Sequence, residues 1–585
     1  MTVPQKLAAL RAKMAAAGID AYIIPSGDPH NSEYMADHWL ARQWLSGFTG
    51  SSGLVVVLQG QAGLWTDGRY FIQAERELAG SGISLFKDGE PGVLGYQDFL
   101  KENIPAGGKI GFDGRVLPLA AFTQLKAKLP GASYAYSQDI VGSLWDNRPP
   151  MPSAPAFYHE EKFAGSRDKL QIVRDEMQKK GINYYLVAAL DDIAWLANIR
   201  GCDISESPVA YSYALVTETD AHLFIEPHKA AEIQPRLPAF QFHGYSDIVA
   251  MLKSLPPGGK ILLNSGRTNM LLAEAISSGV EITTDPDEDI LPLLKAVKSP
   301  EEIANTRNAY IREGVVLVKM LKWLEESLAT GETLHEGDVS AFITAQRQQQ
   351  ENSLGDSFET IAAYGANAAQ MHYHPQGRGA EIKREGFLLI DTGGQYLDGT
   401  TDTTRTIPVG NLTPQMKRDF TLVLRGMIRL SMAKFLQGTT GHALDMLARQ
   451  PILATFQNYR SGTGHGIGYC LNVHEGPQSV STRWINTGMQ PGMMVSNEPG
   501  IYKEGQYGIR TENIILAEEL CQNSDGVFLG FETLTFCPIA PEAIDYSLLL
   551  PDEQDFLSAY NKAVIQKLTP FLNEGEAAWL KCKCE

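Results

Sequence analysis

The chain has 585 residues, of which 44% are hydrophobic, 20% charged and 9% aromatic, and its formal net charge is −18. This length exceeds what one hydrophobic core supports, so two to four domains are expected. The negative charge argues against nucleic acid or an anionic membrane as the main partner. The composition is that of an ordinary soluble globular protein.

Six scattered cysteines are too few for a disulfide framework. Cys582 and Cys584 near the C-terminal end could bind a metal ion, but we interpret this segment as a mobile tail. No apolar run approaches the length of a membrane span. Basic residues interrupt the first apolar run, so we expect no signal peptide there. We therefore expect a cytoplasmic protein.

The first predicted element is a helix that presents Leu7, Leu10 and Met14 on one face and stops at Gly18. Short apolar strands then alternate with amphipathic helices, which is typical of α/β domains. Three strand patterns recur in the same order, so two successive segments are predicted to share a fold. Residues 21–25, 63–67 and 108–112 match residues 184–188, 222–226 and 259–263, respectively.

Two breaks divide the chain into three predicted domains. Four prolines between Asn147 and Pro155 indicate a linker. Ser299, Pro300 and Glu302 supply an N-cap, a first helical residue and a capping box for a long helix. We predict an N-terminal α/β domain at residues 1–150, a middle α/β domain of similar fold at 151–296, and a catalytic domain at 297–585.

Two hairpin patterns in the last third carry acidic residues at strand ends. In the first, an apolar run ends on Asp391, and the returning strand carries Asp402. If this hairpin folds about residues 396 and 397, the two carboxylates lie opposite each other. Directly opposed like charges destabilise a strand pair, so this placement requires a compensating cation.

The second hairpin pattern repeats this arrangement. An apolar run leads to Glu498, and a fold about Gly505 puts Glu512 across from it. His465 lies between the two hairpins in a glycine-rich loop. Two hairpins that each face two carboxylates, with a histidine between them, predict a metal site.

The donor set indicates which metal ions the predicted site would take. Four carboxylates and one imidazole form a hard, oxygen-rich set that suits Mn²⁺, Fe²⁺ or Co²⁺, with Zn²⁺ also possible. Charge balance favours two ions, because a single divalent ion leaves two buried carboxylate charges uncompensated. Two metal ions share bridging carboxylates and lower the pKa of a water between them, so that hydroxide exists at neutral pH.

These residues lie in motifs that resemble those of the pita-bread metallopeptidases, a superfamily that includes methionine aminopeptidase, prolidase and aminopeptidase P. The ligand motifs are Asp391-x10-Asp402, Gly462-Thr-Gly-His-Gly-Ile-Gly468, Glu498-Pro-Gly500 and Gly508-Ile-Arg-Thr-Glu512. Further motifs resemble the three-domain, cytosolic type of Xaa-Pro aminopeptidase: Ile24-Pro-Ser-Gly-Asp-Pro-His30, Trp65-Thr-Asp-Gly-Arg-Tyr70, Asp191-Asp-Ile-Ala-Trp195 and Leu471-Asn-Val-His-Glu-Gly-Pro477. The resemblance implies an α/β and α+β fold, in which two similar α/β domains precede a pita-bread catalytic domain.

The resemblance also implies a role for each matching ligand. Asp391 would chelate one metal ion, His465 and Glu498 would hold the other, and Asp402 and Glu512 would bridge the pair. The cofactors would be two divalent metal ions, with Mn²⁺ preferred and Zn²⁺, Co²⁺ or Fe²⁺ possible. A metal-bridging hydroxide would attack the N-terminal Xaa-Pro bond of a peptide, and Glu498 would shuttle the proton.

Two further histidines match the active-site pattern of the family. His474 would bond the substrate carbonyl or the developing oxyanion. His372 would lie near the free amine of the substrate and the nitrogen of the scissile bond. His374 could fill the same role, but His372 is preferred because Tyr373 then aligns with the family pattern.

The remaining matches concern substrate binding and ligand orientation. Tyr502 would form a wall of the proline pocket, and Arg510 and Thr404 would orient the ligand carboxylates. A peptide bond to proline has no N–H, so an enzyme for it needs a shaped apolar pocket. The preference for peptides with proline in second position follows from the resemblance alone, as does the expected homodimer.

Three other functions compete with the aminopeptidase. A prolidase, which cuts only Xaa-Pro dipeptides, is the main alternative. Two α/β domains ahead of the catalytic one favour the aminopeptidase, because prolidases carry one. A non-catalytic binding protein on the same fold and a metal-independent creatinase-type enzyme are disfavoured, because all five ligands are present.

Overall fold

The computed structural model describes residues 1–284, 289–375 and 377–585. The chain forms two compact units, of which the first comprises residues 1–158, 167–205 and 209–291, and the second residues 159–166, 206–208 and 292–585. Within the described ranges, no helix is both long enough and apolar enough to cross a membrane.

The first unit begins with a six-stranded mixed sheet. Its elements are α1 (Val3–Ala16), β1 (Ala21–Pro25), α2 (Ala41–Ser46), β2 (Leu54–Leu58), β3 (Ala62–Thr66), α3 (Phe71–Glu77), β4 (Ser84–Lys87), α4 (Tyr96–Asn103), β5 (Lys109–Gly111), α5 (Leu119–Lys128) and β6 (Ser133–Ala135). The strand order is β4-β3-β2-β1-β5-β6. The predicted N-terminal helix is confirmed as α1, which buries Leu7, Leu10 and Met14.

A second six-stranded sheet repeats the first. The elements between residues 157 and 296 are β7 (Phe157–Tyr158), α6 (Glu161–Ala164), α7 (Lys169–Lys180), β8 (Tyr184–Val187), α8 (Leu190–Leu196), β9 (Ile199–Arg200), β10 (Ser212–Thr217), β11 (Ala221–Ile225), α9 (Pro227–Ala230), β12 (Gln241–His243), α10 (Ile248–Ser254), β13 (Lys260–Leu263), α11 (Met270–Ala275), β14 (Glu281–Thr283) and α12 (Leu291–Ala296). The strand order is β12-β11-β10-β8-β13-β14.

The two sheets agree strand by strand. Each has a central strand, β1 or β8, that pairs antiparallel on one side and parallel on the other. The three strand patterns that recur in the sequence occupy equivalent places: β1 matches β8, β3 matches β11, and β5 matches β13. The predicted duplication of the fold is therefore confirmed.

The second unit is dominated by a long helix, and its elements after residue 296 are α13 (Pro300–Thr330), α14 (Glu336–Gln348), β15 (Ser353–Asp356), β16 (Ile361–Tyr364), β17 (Phe387–Thr392), β18 (Gly394–Tyr396), β19 (Gly399–Thr400), β20 (Thr403–Pro408), α15 (Pro414–Ser431), β21 (Phe435–Leu436), α16 (Gly441–Leu453), β22 (Gly464–Gly466), β23 (Glu475–Val480), β24 (Met494–Asn497), β25 (Gly500–Lys503), β26 (Tyr507–Arg510), β27 (Asn513–Asn523), β28 (Gly526–Thr533), α17 (Pro551–Leu568) and α18 (Glu574–Cys584). The predicted capping box is present, because the Ser299 hydroxyl accepts from the Glu302 amide and the Glu302 carboxylate accepts from the Ser299 amide, at 3.1 and 2.8 Å.

The described strands of this unit form four sheets, in the orders β15-β18-β19, β16-β17-β20, β21-β28-β27-β24-β22-β23 and β25-β26. One hydrophobic core joins α13, α15, α17 and α18 to β17, β25 and β26. These strands carry or flank the predicted ligands. The core therefore fixes the backbone on which the candidate site is built.

The C-terminal segment is not the mobile tail that the sequence suggested. Residues 574–584 form α18, which begins with a capping box between Asn573 and Glu576. The helix buries Leu580 and Cys584 in the core. Trp579 donates a hydrogen bond to Glu325 of α13 at 3.1 Å. Apolar contacts and capping therefore order this segment, and the prediction of a mobile tail is wrong.

Candidate metal centre

The first acidic hairpin has a different register from the predicted one. β17 pairs with β20, and Asp391 lies opposite Thr404 rather than Asp402. The difference arises because the chain turns between Tyr396 and Gly399, one residue later than predicted. A register shift of two residues preserves the face on which side chains lie, so both carboxylates remain on one side.

The second acidic hairpin has the predicted register. The ladders on either side of it, β24 with β27 and β25 with β26, place Glu498 across from Glu512. The two strands separate at this pair, because both backbone amides bond elsewhere. The Glu498 N–H donates to the Thr463 carbonyl at 2.8 Å, and the Glu512 N–H donates to the Thr404 carbonyl at 3.1 Å. Backbone bonds from other segments therefore hold the opposed acids in place.

His465 lies in a short strand, β22, and not in the glycine-rich loop that the sequence suggested. The flanking glycines allow neighbouring strands to approach. A Cβ on Gly464 would lie 1.9 Å from the Ser496 carbonyl oxygen, and one on Gly466 would lie 2.3 Å from the Glu475 carbonyl oxygen. The glycines are thus explained by close strand packing, which fixes His465 against its neighbours.

The folded chain brings the predicted ligands together. Asp402, His465 and Glu512 offer ligand atoms that all lie within 4.8 Å of one another. The His465 Nε2 atom is 3.5 Å from a carboxylate oxygen of Asp402 and 3.5 Å from one of Glu498. The opposite ring nitrogen, Nδ1, donates to the Gly466 carbonyl at 2.9 Å, which leaves Nε2 free to face a cation.

The cluster concentrates negative charge in a buried place. Burial raises the pKa of Asp391 to about 6, and nearby Asp402 and Glu498 add to this shift while Arg510 opposes it. Burial also raises the pKa of Glu512 well above its usual value. For His465, burial lowers the pKa, but the Asp402 and Glu498 carboxylates outweigh it and raise the pKa to about 9.

Two ligand oxygens are buried without a hydrogen bond from any described residue: Asp391 Oδ1 and Glu512 Oε1. A buried carboxylate oxygen without a donor is costly. A divalent cation would satisfy both oxygens and would relieve the repulsion that raises the pKa values. The donor set and its electrostatics therefore fit a metal centre.

Arg510 and Thr404 contact the ligands directly. The guanidinium of Arg510 donates to Asp391 Oδ2 at 2.5 Å, to the Thr404 hydroxyl at 3.1 Å and to the Tyr502 hydroxyl at 2.7 Å. The Thr404 hydroxyl in turn donates to Glu512 Oε2 at 2.7 Å. This chain of bonds links Tyr502 to ligands on both hairpins.

The three histidines considered for substrate contacts lie in three different environments. The His474 ring packs edge-on against the His465 ring, with 4.3 Å between centroids. His372 lies half-buried in a turn, and the hydroxyl of the next residue, Tyr373, donates to Glu336 at 2.8 Å. His374 is 38% exposed and its Nδ1 atom lies 3.2 Å from a carboxylate oxygen of Glu359.

Three residues around the ligands were missed by the sequence interpretation. The Ser496 hydroxyl accepts from the His465 amide at 3.0 Å and donates to Glu498 at 3.2 Å. The Tyr310 hydroxyl accepts from the Asp402 amide at 3.3 Å, and Arg405 donates to the Glu512 carbonyl at 2.5 Å. Ser496 could have been found from strand alternation, since it lies two residues before a ligand. Tyr310 and Arg405 have no local signal.

Comparison with protein families agrees with this geometry. Residues 304–519 match metallopeptidase family M24, and residues 527–585 match the C-terminal region of peptidase M24. Residues 6–144 and 147–302 each match the creatinase/prolidase N-terminal domain. A probable Xaa-Pro aminopeptidase P from Coprinopsis cinerea is 39% identical over 606 aligned residues, which cover 99% of this chain and 97% of the relative.

Solved structures extend the comparison. X-prolyl aminopeptidase from Caenorhabditis elegans, described as a cytosolic enzyme with a di-nuclear active site, matches with a TM-score of 0.95 and 32% identity over 100% of both chains. A Xaa-Pro dipeptidase from Bacillus anthracis shares the fold with a TM-score of 0.52 and 23% identity, over 63% of this chain and 98% of that one.

Fold and site together define a metallopeptidase in which two similar α/β domains precede a pita-bread catalytic domain, as the sequence predicted. The chain belongs to metallopeptidase family M24.

Proposed function

We propose that the protein is a metal-dependent aminopeptidase that hydrolyses the N-terminal Xaa-Pro bond of peptides. The observation that carries this proposal is the cluster of three buried carboxylates, Asp391, Asp402 and Glu512, with the half-buried Glu498 and His465. It lies in a chain that matches Xaa-Pro aminopeptidases over its full length. The prolidase alternative is weaker, because the relatives that match this chain over its full length are named Xaa-Pro or X-prolyl aminopeptidases.

The ligands divide between two divalent metal ions as the family resemblance implies. Asp391 would hold one ion, His465 and Glu498 would hold the other, and Asp402 and Glu512 would contribute to both. The 3.5 Å approach of His465 to Glu498 supports this division, and so does the di-nuclear site of the Caenorhabditis elegans enzyme. When bound, the two ions polarise the scissile carbonyl and lower the pKa of the attacking water. Mn²⁺ is the proposed ion, because the donors are mainly carboxylates.

Glu498 is the proposed proton carrier. Burial raises the pKa of its carboxyl group, while His465 and Arg510 oppose the shift. A carboxyl group with a raised pKa suits general acid–base catalysis near neutral pH. Glu498 takes a proton from the attacking water and delivers it to the departing proline nitrogen.

The proposed substrate contacts surround the ligands. His474, beside His465, donates to the carbonyl oxygen as negative charge develops on it. His372 lies near the substrate amine, and the Glu359 contact of His374 favours His372 for this role. Tyr502, held by Arg510, forms a wall of the proline pocket.

The deciding experiment compares Arg-Pro-Pro with Ala-Pro as substrates of chelator-stripped enzyme, before and after addition of Mn²⁺. We expect Mn²⁺ to restore release of arginine from the tripeptide. Restored cleavage of the dipeptide alone would identify a prolidase, and no cleavage of either would refute both. Parallel additions of Zn²⁺, Co²⁺ and Fe²⁺ compare the proposed Mn²⁺ with its competitors.

A homodimer and a cytoplasmic location complete the proposal. Exposed apolar side chains on the second unit support a protein contact: Phe456 is fully exposed in a left-handed conformation, and Met446 and Leu447 are 54% and 39% exposed. Sedimentation that shows a fully active monomer of 64.1 kDa would contradict the proposed homodimer. The cytoplasmic location is supported by the cytosolic Caenorhabditis elegans enzyme, and cell fractionation tests it.

A further inference from the structure

A buried ion pair lies next to His474 in the chain. The Glu475 carboxylate and the Lys298 ammonium group are each 1% exposed, and Glu475 Oε1 lies 2.5 Å from Lys298 Nζ. The Lys295 Nζ atom lies 3.8 Å from the other carboxylate oxygen. Burial of charged groups is costly even when they are paired. The position of this pair therefore calls for a reason other than general stability.

His474 and Glu475 contact different neighbours. His474 lies in a bend directly before β23, and Glu475 is the first residue of that strand. The His474 ring contacts the ring of the metal ligand His465, at 4.3 Å between centroids, whereas Glu475 contacts the two lysines. The ion pair thus anchors the residue that directly follows His474.

The strand ladder alone does not fix this backbone. His465 pairs with Ser479, but the next residue, Gly466, pairs with Glu475. Residues 476–478 are therefore extra on β23, and the ladder is interrupted directly after Glu475, the first residue of the strand. A bulge bends the strand and leaves residues without ladder partners, so a side-chain contact is needed to hold the backbone in one orientation.

Lys298 is itself well anchored. Its backbone N–H donates to the Gly492 carbonyl at 3.0 Å, and its ammonium group donates to the Lys295 carbonyl at 2.9 Å. It directly precedes Ser299, the N-cap of α13. The ion pair therefore ties the interrupted strand to the start of the longest helix.

We infer that Lys298 and Glu475 are positioning residues that hold His474 at the substrate carbonyl. This inference rests on the proposed function, in which His474 donates to the oxygen that gains charge. Such a bond is stronger in the transition state than in the bound substrate, so its loss lowers kcat more than it changes KM.

The first test is Glu475→Leu, assayed on Arg-Pro-Pro with the metal-loaded enzyme. We expect kcat to fall about 10- to 100-fold with little change in KM, because supporting residues of an active site typically contribute this much. Metal content per chain should equal that of the wild type. Glu475→Gln keeps an oxygen that accepts from Lys298 and should recover most of the lost turnover, and Lys298→Met should reproduce the loss.

The matched control is Glu553→Leu. Glu553 is also a fully buried carboxylate, bonded by Arg425, Arg429 and the Leu550 amide. None of these partners, within the described part of the chain, is a proposed active-site residue. This variant should lower thermal stability while kcat stays unchanged. A loss of kcat in the control equal to that in Glu475→Leu would overturn the inference.

A double-mutant cycle gives the decisive test. In a His474→Ala background, Glu475→Leu and Lys298→Met should change kcat by less than about twofold, because residues that act through one group are not additive. Full additivity, or full turnover of His474→Ala alone, would overturn the positioning role. A wild-type enzyme that cuts only Ala-Pro would refute the aminopeptidase instead, and the same cycle would then be measured on that dipeptide.

Discussion

The second unit contains two buried acidic clusters that differ in how their charge is balanced. In the first, Arg347 is fully buried and contacts Glu313, Asp356 and the Thr392 hydroxyl. The Tyr396 hydroxyl donates to Glu313 at 2.8 Å. Both oxygens of Glu313 accept hydrogen bonds from described residues, and a guanidinium supplies the opposite charge.

The candidate metal centre is the second cluster. Its carboxylates contact Arg510 and His465, but Asp391 Oδ1 and Glu512 Oε1 receive no hydrogen bond from the described residues. The two clusters are neighbours in sequence, because Asp391 directly precedes Thr392. The comparison teaches that a fold can satisfy buried acids with its own donors. Where it leaves them unsatisfied, an external cation completes the site.

The largest effect is expected from Asp402→Asn, which removes a proposed bridging ligand. The kcat/KM for Arg-Pro-Pro should fall at least about 1000-fold, since bound metal ions lower the activation barrier by several kcal/mol. The metal-free protein should melt at a higher temperature than metal-free wild type, because one of several repelling charges is gone. Calorimetry measures the melting temperature, and a peptide turnover assay measures kcat/KM. Asp356→Asn, in the balanced cluster, is the control and should keep its turnover; an active Asp402→Asn enzyme would contradict the proposed mechanism.

Arg347→Met should have the next largest effect, on stability. It leaves Glu313 buried without its guanidinium partner, which costs about 3–5 kcal/mol of unfolding free energy. Thermal melting of the metal-loaded enzyme measures this loss. Arg425→Met is the control, because Glu553 keeps its contact with Arg429, and its effect should be smaller. Equal melting of Arg347→Met and wild type would show that the first cluster is not balanced in the way described.

Metal binding should depend on pH in the unbalanced cluster. The pKa of His465 is raised to about 9 and that of Asp391 to about 6, so the metal-free site holds protons at pH 7. Metal ions bind the deprotonated groups, so binding releases protons and the apparent affinity rises from about pH 6 to about pH 9. Titration calorimetry in two buffers of different ionisation enthalpy counts the protons. Identical heats in both buffers would contradict the raised pKa values.

The smallest effect is expected from Thr404→Val. It removes the hydroxyl that donates to Glu512 and accepts from Arg510. One such hydrogen bond contributes about 1 kcal/mol, so kcat/KM should fall about fivefold. Thr404→Ser keeps the hydroxyl and should restore the rate. If the valine variant matches wild type, Thr404 does not orient the ligand.

Much of this arrangement could be predicted from the sequence, because it depends on local patterns. Apolar runs that end on acids located Asp391 and Glu498, and Gly505 fixed the register of the second hairpin. The capping box at Ser299 located α13. The strand patterns near residues 21 and 184 revealed the duplicated sheets.

The wrong or missing predictions concern features that depend on contacts between segments distant in sequence. The register at Asp391 depends on where the turn after Tyr396 falls, and residues 394–396 also pair with β15. His465 lies in a strand because glycines admit its neighbours, which only the packed sheet reveals. The order of α18 follows from burial of Leu580, although its Asn573 and Glu576 capping box was visible in the sequence.

The separated strands at Glu498 and Glu512 have a consequence for protein engineering. Their backbone amides are held by the carbonyls of Thr463 and Thr404, so main-chain atoms and not the acidic side chains set the spacing of the pair. The backbone at these two positions is thus held in place without the acidic side chains. Other donors, such as histidine or cysteine, could be grafted at these two positions to make the same cleft select a softer metal ion.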